Sequence, residues 1–223
     1  MSGRRMLLAA AAAGAGDNLI SADQTTNKIY VHAGVTSTIT TSFATPASNV
    51  EALTYDGANV ISSDDVTHKI YVHAGVTSTI TTSFAAPETS IKGLTYDGTN
   101  LISSGASADK IYVHAGVTST ITTSFATPAI NPRGTTYDDA NLISSDTVTS
   151  KIYVHTGVTS TVTTSFATPG GAVRGLGYDG TNLISSDSVA GKIYVHTGVT
   201  STITTSFATP ASDTRGLATT RPV

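Results

Sequence analysis

The chain has 223 residues, a formal net charge of −3 at pH 7 and a pI of about 6.0. It is long enough for one all-β domain with a large core, but its acidic balance provides no basic surface for nucleic-acid phosphates or anionic lipid headgroups. The chain contains no cysteine, which excludes disulfides, thiolate metal sites and cysteine nucleophiles, and no apolar run reaches the roughly 18 residues of a membrane span.

Residues 1–15 differ in composition from everything that follows. Arg4 and Arg5 precede an apolar stretch that begins at Met6 and ends in five alanines. A basic start followed by an apolar stretch is typical of a secretory signal, and the arginine pair resembles a twin-arginine signal. The alternative, which we favour, is an ordered N-terminal arm. In both cases we expect the folded domain to comprise residues 16–223.

The rest of the chain is built from a repeat of 41 residues. The string KIYVH recurs at this interval, beginning at Lys28, Lys69, Lys110, Lys151 and Lys192. The string YDG or YDD recurs at the same interval, beginning at Tyr55, Tyr96, Tyr137 and Tyr178. Repeats of about 40 residues are typical of helical arrays and of four-stranded propeller blades.

The local pattern within one repeat favours strands. Val35, Ile39 and Phe43 alternate with threonine and serine at the two-residue period of a half-buried strand, and no segment shows the period of a helix. Four strands are predicted in each repeat, named A to D. In the third repeat they are Gly93–Asp97, Asn100–Ser104, Lys110–His114 and Thr118–Ala126. Asp-Gly turns join A to B, and a proline ends D.

The number of copies predicts how the fold closes. Strands B, C and D occur five times, whereas strand A occurs four times internally and once more at the C-terminus, from Arg215 to Ala218. We therefore predict an all-β, five-bladed β-propeller with four antiparallel strands per blade, in which the C-terminal strand completes blade one. Residues Ala11 to Ala15 fall at the register of strand A, but they lack its Arg-Gly-Leu signature.

The repeat also resembles known propeller blades. The run GLTYDGTNLISSD…KIYVH…TITTSFATP is similar to blades of the YVTN, NHL and glutaminyl-cyclase-like propellers, which share GL-x-x-DG-x-x-L…D…KI. This resemblance covers nearly the whole chain from Gly16 and concerns the blade, not an activity. The near-identical copies also resemble amplified repeat propellers from environmental and phage-like sequences, which implies an origin of that kind.

Differences among the five copies are concentrated in two loops. The B–C loops read DQTTN, DDVTH, GASAD, DTVTS and DSVAG, and the D–A loops read PASNVE, PETSIK, PAINPR, PGGAVR and PASDTR. Because strands alternate in direction, both loops emerge on one face of the disc, where a rigid scaffold would present them to a ligand. The alternative explanation is that solvated loops drift more readily than packed strands.

Charged residues at the start of A and the end of B are predicted to pair across the two strands. Counting from the A–B turn, residue 51 faces residue 64. The same register predicts three ordinary Arg–Asp pairs, namely Arg133 with Asp146, Arg174 with Asp187, and Arg215 with Asp23.

Blades two and three depart from this pairing. Glu51 would face Asp64, and Lys92, which would face Gly105, is the nearest compensating cation. A cation site using Glu51, Asp64, Asp65 or His68 is the alternative to a solvated acidic loop. Hard-ion sites need about six oxygens in a preformed cage, and this spacing lacks them, so we predict no metal.

Neither a metal ring nor a catalytic centre is predicted. The five histidines that end each KIYVH lie on strand C, roughly 16 Å from the axis, so neighbouring copies would be nearly 20 Å apart. We expect each histidine to bind backbone at its own C–D turn. No catalytic or cofactor-binding motif is present, so we predict neither enzymatic activity nor a cofactor.

These observations lead to two hypotheses of function. The first is a non-enzymatic, lectin-like binding propeller that recognises carbohydrate or a surface protein, with up to five shallow sites on the variable face. Its candidate ligand-binding residues are the charged set Asp23, Glu51, Asp64, His68, Lys92, Arg133, Asp146, Arg174, Asp187 and Arg215, and Tyr30, Tyr55, Tyr96, Tyr137 and Tyr178 are candidates for stacking on sugars.

The second hypothesis is a structural repeat module of a viral or cell-surface appendage, with no small ligand. Such a role would place the protein outside a cell or on a virion. The polar threonine rows of strand D lack the charges that usually deter edge pairing, so we expect a monomer or a weak edge-to-edge oligomer.

Overall fold

A computed structural model describes residues 17–221. The described chain forms five four-stranded antiparallel sheets and contains twenty strands. None of its elements is a helix of the length and apolarity needed to cross a membrane. The prediction of a five-bladed propeller with four antiparallel strands per blade is confirmed.

The strands are numbered in chain order and grouped by blade, from the axis outward. Blade one contains β20 (Thr214–Thr219), β1 (Leu19–Asp23), β2 (Lys28–His32) and β3 (Ile39–Ala44). Blade two contains β4 (Val50–Tyr55), β5 (Val60–Asp64), β6 (Lys69–His73) and β7 (Ile80–Ala85). Blade three contains β8 (Ile91–Tyr96), β9 (Leu101–Gly105), β10 (Lys110–His114) and β11 (Ile121–Ala126). Blade four contains β12 (Pro132–Tyr137), β13 (Leu142–Asp146), β14 (Lys151–His155) and β15 (Val162–Ala167). Blade five contains β16 (Val173–Tyr178), β17 (Leu183–Asp187), β18 (Lys192–His196) and β19 (Ile203–Ala208).

The C-terminal strand closes the ring. β20 pairs antiparallel with β1, with Leu19 opposite Thr219 and Ala22 opposite Gly216. This confirms that the innermost strand of blade one comes from the other end of the chain. Residues Ala11–Ala15, which share the register of strand A in the repeat and could compete for this position, lie outside the described residues.

The core consists of five apolar clusters, one between each pair of neighbouring blades. Between blades one and two, for example, Ile20 and Ile29 pack against Val50, Leu53 and Val60. Each blade therefore buries both faces of its inner strands against its neighbours, as radial packing of twisted sheets requires. The apolar residues of strands A, B and C supply these clusters, and the two adjacent apolar residues of strand B point to opposite faces of the blade.

The innermost strands approach one another closely around the axis. A Cβ added to Gly134 would lie 2.6 Å from Leu176 N and 2.8 Å from Arg174 O, both of which are backbone atoms of the next blade. Because backbone cannot move aside as a flexible side chain can, glycine at this position permits the narrow ring.

The outer strand is shorter than predicted. Strand D of blade three begins at Ile121 rather than at Thr118. Thr118 belongs instead to the C–D turn, where its carbonyl accepts a hydrogen bond from His114 Nδ1 at 2.6 Å and its hydroxyl accepts one from Thr120 N–H at 3.2 Å. Threonine side chains that bond nearby backbone in this way compete with strand formation.

Candidate functional site

A β-bulge places one charged residue per blade at one end of the axial channel. Val50 pairs with Asp64 and Ala52 pairs with Ser63, so Glu51 is the extra residue between them. The equivalent bulge residues are Lys92, Arg133, Arg174 and Arg215. A bulge re-aims the extra side chain out of the ladder. We call this end, on the side of the B–C and D–A loops, the charged mouth.

The bulge makes the predicted cross-strand pairing wrong by one residue. The partners of Asp146, Asp187 and Asp23 are Pro132, Val173 and Thr214, rather than Arg133, Arg174 and Arg215. Likewise Val50, and not Glu51, lies opposite Asp64, and Ile91, and not Lys92, lies opposite Gly105.

The aspartates at the end of strand B cap the loops instead. Asp23 Oδ1 accepts hydrogen bonds from Thr26 N at 2.9 Å and from Thr26 Oγ1 at 3.0 Å, and its Oδ2 accepts one from Asp213 N at 2.7 Å. Asp64 and Asp187 bind their own B–C and D–A loops in the same way. These buried carboxylates therefore hold the two variable loops side by side, and their role is structural.

In blade three, a carboxylate at this position comes from the D–A loop instead of from the end of strand B. Gly105 replaces the aspartate, and the side chain of Glu88 fills the space that a Cβ there would need. Glu88 accepts hydrogen bonds from Ser107 N at 2.7 Å and from Tyr112 Oη at 2.8 Å. Burial, together with the hydrogen bond and charge of Glu88, raises the pKa of Tyr112 to about 12.

One half of the charged mouth is neutralised by its own ion pairs. Glu51 bridges two neighbouring blades, because it contacts Arg215 on one side and lies 2.9 Å from Lys92 Nζ on the other. Lys92 also pairs with Asp65, and Arg215 Nη2 lies 2.8 Å from Asp213 Oδ2. Lys92 therefore does compensate Glu51, as its place in the sequence suggested.

The pKa of Arg215 reflects this pairing. Burial opposes the charge of its guanidinium, but the hydrogen bonds and charges of Asp213 and Glu51 outweigh that effect and raise the pKa.

The other half of the mouth carries two guanidiniums that form no ion pair with the described residues. Arg133 Nε donates to Thr147 Oγ1 at 3.5 Å, and Arg174 Nε donates to Ser188 Oγ at 2.7 Å. Burial and the neighbouring charge of Arg174 lower the pKa of Arg133. Both acceptors are hydroxyls of the variable B–C loops, so neither guanidinium has a carboxylate in direct contact within residues 17–221, and the more distant charges of Glu51 and Asp65 only partly offset the lowered pKa of Arg133.

Asp146 does not bind its D–A loop, because that loop turns differently in blade four. Asn131 precedes Pro132, has a left-handed backbone with φ of 73°, and donates its N–H to Asp109 Oδ1 at 3.0 Å. In blades one, two and five the N–H at the equivalent position donates to the aspartate at the end of strand B. The buried Oδ2 of Asp146 consequently has no hydrogen-bond partner among the described residues.

The residues of the alternative cation site are not gathered around one point. Glu51 and Asp65 both contact Lys92, and Asp64 caps the loops. His68 Nδ1 bonds to Thr89 O at 2.9 Å. Within residues 17–221 no three His, Cys, Asp or Glu side chains are arranged to hold a metal ion.

The five strand-C histidines are buried structural residues. In blade one, His32 Nδ1 lies 2.7 Å from Thr36 O, and Nε2 lies 2.9 Å from Ser21 Oγ. Because a carbonyl can only accept, Nδ1 must carry the proton of the neutral ring, and Nε2 accepts from the serine. Burial lowers the pKa of all five, the equivalents being His73, His114, His155 and His196. This arrangement agrees with the predicted bond to the C–D turn.

Four tyrosines surround the opposite end of the channel. Tyr55, Tyr96, Tyr137 and Tyr178 each end an innermost strand, and Thr219 holds the fifth position. With the inner leucines and threonines they line a funnel. We call this the tyrosine mouth. It lies on the face away from the variable loops, so these four tyrosines are not near the charged mouth. Of the five tyrosines predicted to stack on sugars, only Tyr30 contacts a B–C loop, through its hydrogen bond to Thr26.

The turns around the tyrosine mouth are held by repeated hydrogen bonds. Asp56 Oδ1 accepts from Ala58 N at 2.9 Å and from Asn59 N at 2.6 Å, and Asn59 Oδ1 accepts from Gly75 N in the C–D turn at 3.1 Å. These bonds account for the near constancy of both turns among the copies.

Arg221 crosses the tyrosine mouth in a contact that the sequence did not suggest. Its guanidinium forms two hydrogen bonds with Asp139, at 2.9 and 2.6 Å, and lies 5.8 Å from the ring centre of Tyr178. Asp139 has a positive φ of 75° at a turn position where Gly57, Gly98 and Gly180 occur in the other internal repeats. The sequence signal for this contact is the single YDD among the YDG turns.

Comparison with solved structures identifies similar folds at low sequence identity. A chain from the nidogen/laminin complex matches with a TM-score of 0.66 and 17% identity, covering 92% of this chain and 99% of that chain. The glutaminyl cyclase of Myxococcus xanthus matches with a TM-score of 0.59 and 11% identity, covering 76% of this chain and 69% of that one. The computationally designed Ika8 protein matches with a TM-score of 0.51 and 17% identity, covering 89% of this chain and 61% of that one.

Sequence comparison adds no closer relative. The chain matches no protein-family model and none of the curated proteins with which it was compared. The similar structures include an enzyme and a member of a protein complex, and at these identities their likeness concerns the architecture alone. The chain is thus a β-propeller, and the propellers among its structural neighbours share its architecture.

Proposed function

We propose that the protein is a non-enzymatic binding module that recognises an acidic ligand at its charged mouth. The single observation that carries this proposal is the pair of guanidiniums, Arg133 and Arg174, which have no carboxylate partner among the described residues. Guanidinium groups bind carboxylate, sulfate and phosphate with paired hydrogen bonds. A ligand that supplied such a group would neutralise two like charges held side by side.

The charged mouth also connects the variable loops to the arginines. Thr147 accepts from both Arg133 and Asn131, and Ser188 accepts from Arg174. Substitutions in these loops would therefore alter the orientation of the guanidiniums without changing the scaffold. This supports one axial site with loop-dependent specificity in place of five separate shallow sites.

Within this class we propose a lectin-like role, with an acidic carbohydrate as the ligand. Uronate or sulfate groups would bind the arginines, and the hydroxyl-rich loops would contact neutral sugar atoms. The remaining site candidates fall into two groups. Lys92, Arg215 and Glu51 line the other half of the mouth, whereas Asp23, Asp64, Asp146, Asp187 and His68 support the loops from below.

Calorimetric titration with defined oligosaccharides tests the proposal. The probes are a heparin octasaccharide, an oligogalacturonate and a neutral maltooligosaccharide. We expect an acidic probe to bind, with affinity that falls as salt rises, and the neutral probe not to bind. R133Q/R174Q should weaken binding at least tenfold. K110Q/K151Q, which removes the same charge from exposed strand-C lysines, should change it less than twofold.

Two results would contradict the proposal. One is the absence of binding by any acidic probe to the native chain, which would favour the structural module with its exposed strand-D edges. The other is an equal loss of affinity in the two double variants, because a general charge effect needs no site. Circular dichroism on each variant checks that the propeller is folded.

A further inference from the structure

The tyrosine mouth contains a built pocket for a guanidinium group, already occupied by a side chain of the same protein. Three different elements form it. Asp139 in the A–B turn of blade four presents both carboxylate oxygens to Arg221, while the Tyr178 ring of blade five lies beside the guanidinium carbon. The third side is Gly180, where an added Cβ would lie only 2.7 Å from Arg221 Nε.

Each part of this pocket suits a planar cation. A paired carboxylate matches the two parallel N–H groups of a guanidinium, and an aromatic face attracts a cation through its quadrupole. A glycine leaves room for the flat group to lie against backbone. The pocket arises from one break in the repeat, because Asp139 stands where the other internal A–B turns have glycine.

The contact is also open to exchange. Asp139 and Arg221 keep 41% and 26% of their side-chain surface exposed. The axial funnel continues inward from the pocket and is lined by tyrosines and threonines of the innermost strands. Because both side chains are partly exposed, an incoming arginine side chain has access to the pocket and can exchange with Arg221.

We propose that the tyrosine mouth binds an arginine side chain of a partner protein, with Asp139 and Tyr178 as its main contacts and Arg221 as a built-in competitor. This site lies at the opposite end of the channel from the charged mouth and does not depend on an acidic ligand binding there. The pocket then has two states: in one it holds Arg221, and in the other it holds the arginine of a partner.

The raised pKa values around the pocket agree with a cation-selective field. The hydrogen bonds that Arg221 donates to Asp139 raise the pKa of Arg221. Burial, and then the charges of Asp138 and Asp139, raise the pKa of Tyr178, against the opposing charge of Arg221. Removing Arg221 would leave an acidic, aromatic pocket without its cation.

Agmatine, which carries a guanidinium on a short alkyl chain, is the probe for this site. The background is the full chain with Arg4 and Arg5 changed to alanine, so that Arg133, Arg174, Arg215 and Arg221 are its remaining arginines. In this background we expect R221A to bind agmatine at least tenfold more tightly than the chain that keeps Arg221. Butylamine, a point cation, should bind R221A at least fivefold more weakly than agmatine.

The matched variant is D139N, because asparagine tolerates the left-handed backbone and removes only the charge. D139N added to R221A should reduce agmatine affinity at least tenfold. R221Q provides a second open form if R221A destabilises the ring. Equal agmatine affinity with and without Arg221, or binding that D139N does not alter, would overturn the proposal. NMR titration of the tyrosine ring resonances measures these affinities.

Discussion

At the residue scale, the buried histidines link stability to pH. Each is held neutral by a carbonyl at Nδ1 and a serine hydroxyl at Nε2, and each also contacts a phenylalanine of the preceding blade, as in the pair Phe43 and His73, whose ring centres lie 5.9 Å apart. Folding therefore holds five imidazoles in a form that acid disfavours. Because the arrangement occurs in all five blades, the pH dependence of stability from one histidine is multiplied fivefold in the whole molecule.

The pH dependence follows from the lowered pKa values. Above pH 6.5 the histidines are neutral in both states, and their contribution to stability is complete. As pH falls below 6.5, the histidines of the unfolded chain bind protons while those of the folded chain stay neutral. The free energy of unfolding therefore decreases until the pH reaches the pKa of the histidines in the folded chain. Each histidine adds a slope of up to about 1.4 kcal/mol per pH unit, or about 7 for all five.

Urea unfolding between pH 7 and 5 measures this slope. The free energy of unfolding should fall as pH falls, and H114Q, which removes one titrating ring, should reduce the histidine contribution to the slope by about one fifth. All other ionisable groups are the same in the two chains, so the difference between their slopes belongs to His114. An unchanged slope in H114Q would contradict the account of His114.

At the element scale, a carboxylate holds the B–C loop against the D–A loop in four of the five blades. Blades one, two and five take it from the end of strand B, and blade three takes it from the D–A loop through Glu88, whereas Asp146 of blade four binds its B–C loop alone. The position is therefore defined by space and hydrogen bonds, and not by the place of the residue in the repeat.

Exchange of the two residues in blade three tests this equivalence. E88A removes the acceptor of Ser107 N–H and Tyr112 O–H and should cost about 1–3 kcal/mol. G105D places a second carboxylate in space that Glu88 already fills and should cost a similar amount. E88A/G105D recreates the arrangement of blade two and should recover to within about 1 kcal/mol of the native chain.

Thermal or urea unfolding of the native chain and the three variants gives the coupling energy directly. A double variant whose loss equals the sum of the two single losses would show that an aspartate introduced at position 105 cannot replace Glu88, and the equivalence would be wrong.

The bulges mark the limit of what sequence periodicity predicts in these elements. The A–B turn and the alternation of apolar residues predict the hairpin, but an extra residue at the far end of a strand leaves no trace in a two-residue period. The predicted pairing of Arg174 with Asp187 therefore missed by one residue, and that single shift moves Arg174 to the channel. The charged residues do lie at the start of strand A, but their surroundings differ from the predicted cross-strand pairs.

At the scale of the whole molecule, the repeat predicts most of the fold and little of the sites. Five copies of three strands and a displaced fourth require a closed ring, and β20 occupies the predicted place. The sites arise where copies differ. Asp139 and Arg221 are 82 residues apart, and nothing in their local sequence relates them. Glu88 and Gly105 both differ from the residues at the same positions of the other repeats, but the sequence did not show that they are in contact.

Both mouths depend on the closed ring. Arg215 lies on β20 and pairs with Glu51 of blade two, and Arg221 follows the same strand to reach blade four. The closing strand thus positions a residue in each mouth. Loss of closure should remove both candidate sites together with the hydrogen bonds between β1 and β20.

Thermal unfolding of two truncated chains tests the closure most directly. Removing residues 215–223 should open blade one and lower the midpoint by more than about 10 °C, or abolish the cooperative transition, because most of the innermost strand of that blade is lost. Removing residues 1–15 should leave the midpoint within about 2 °C of the full chain, since β20 already fills the place beside β1. The opposite order, with the N-terminal truncation the more damaging, would contradict closure by the C-terminal strand.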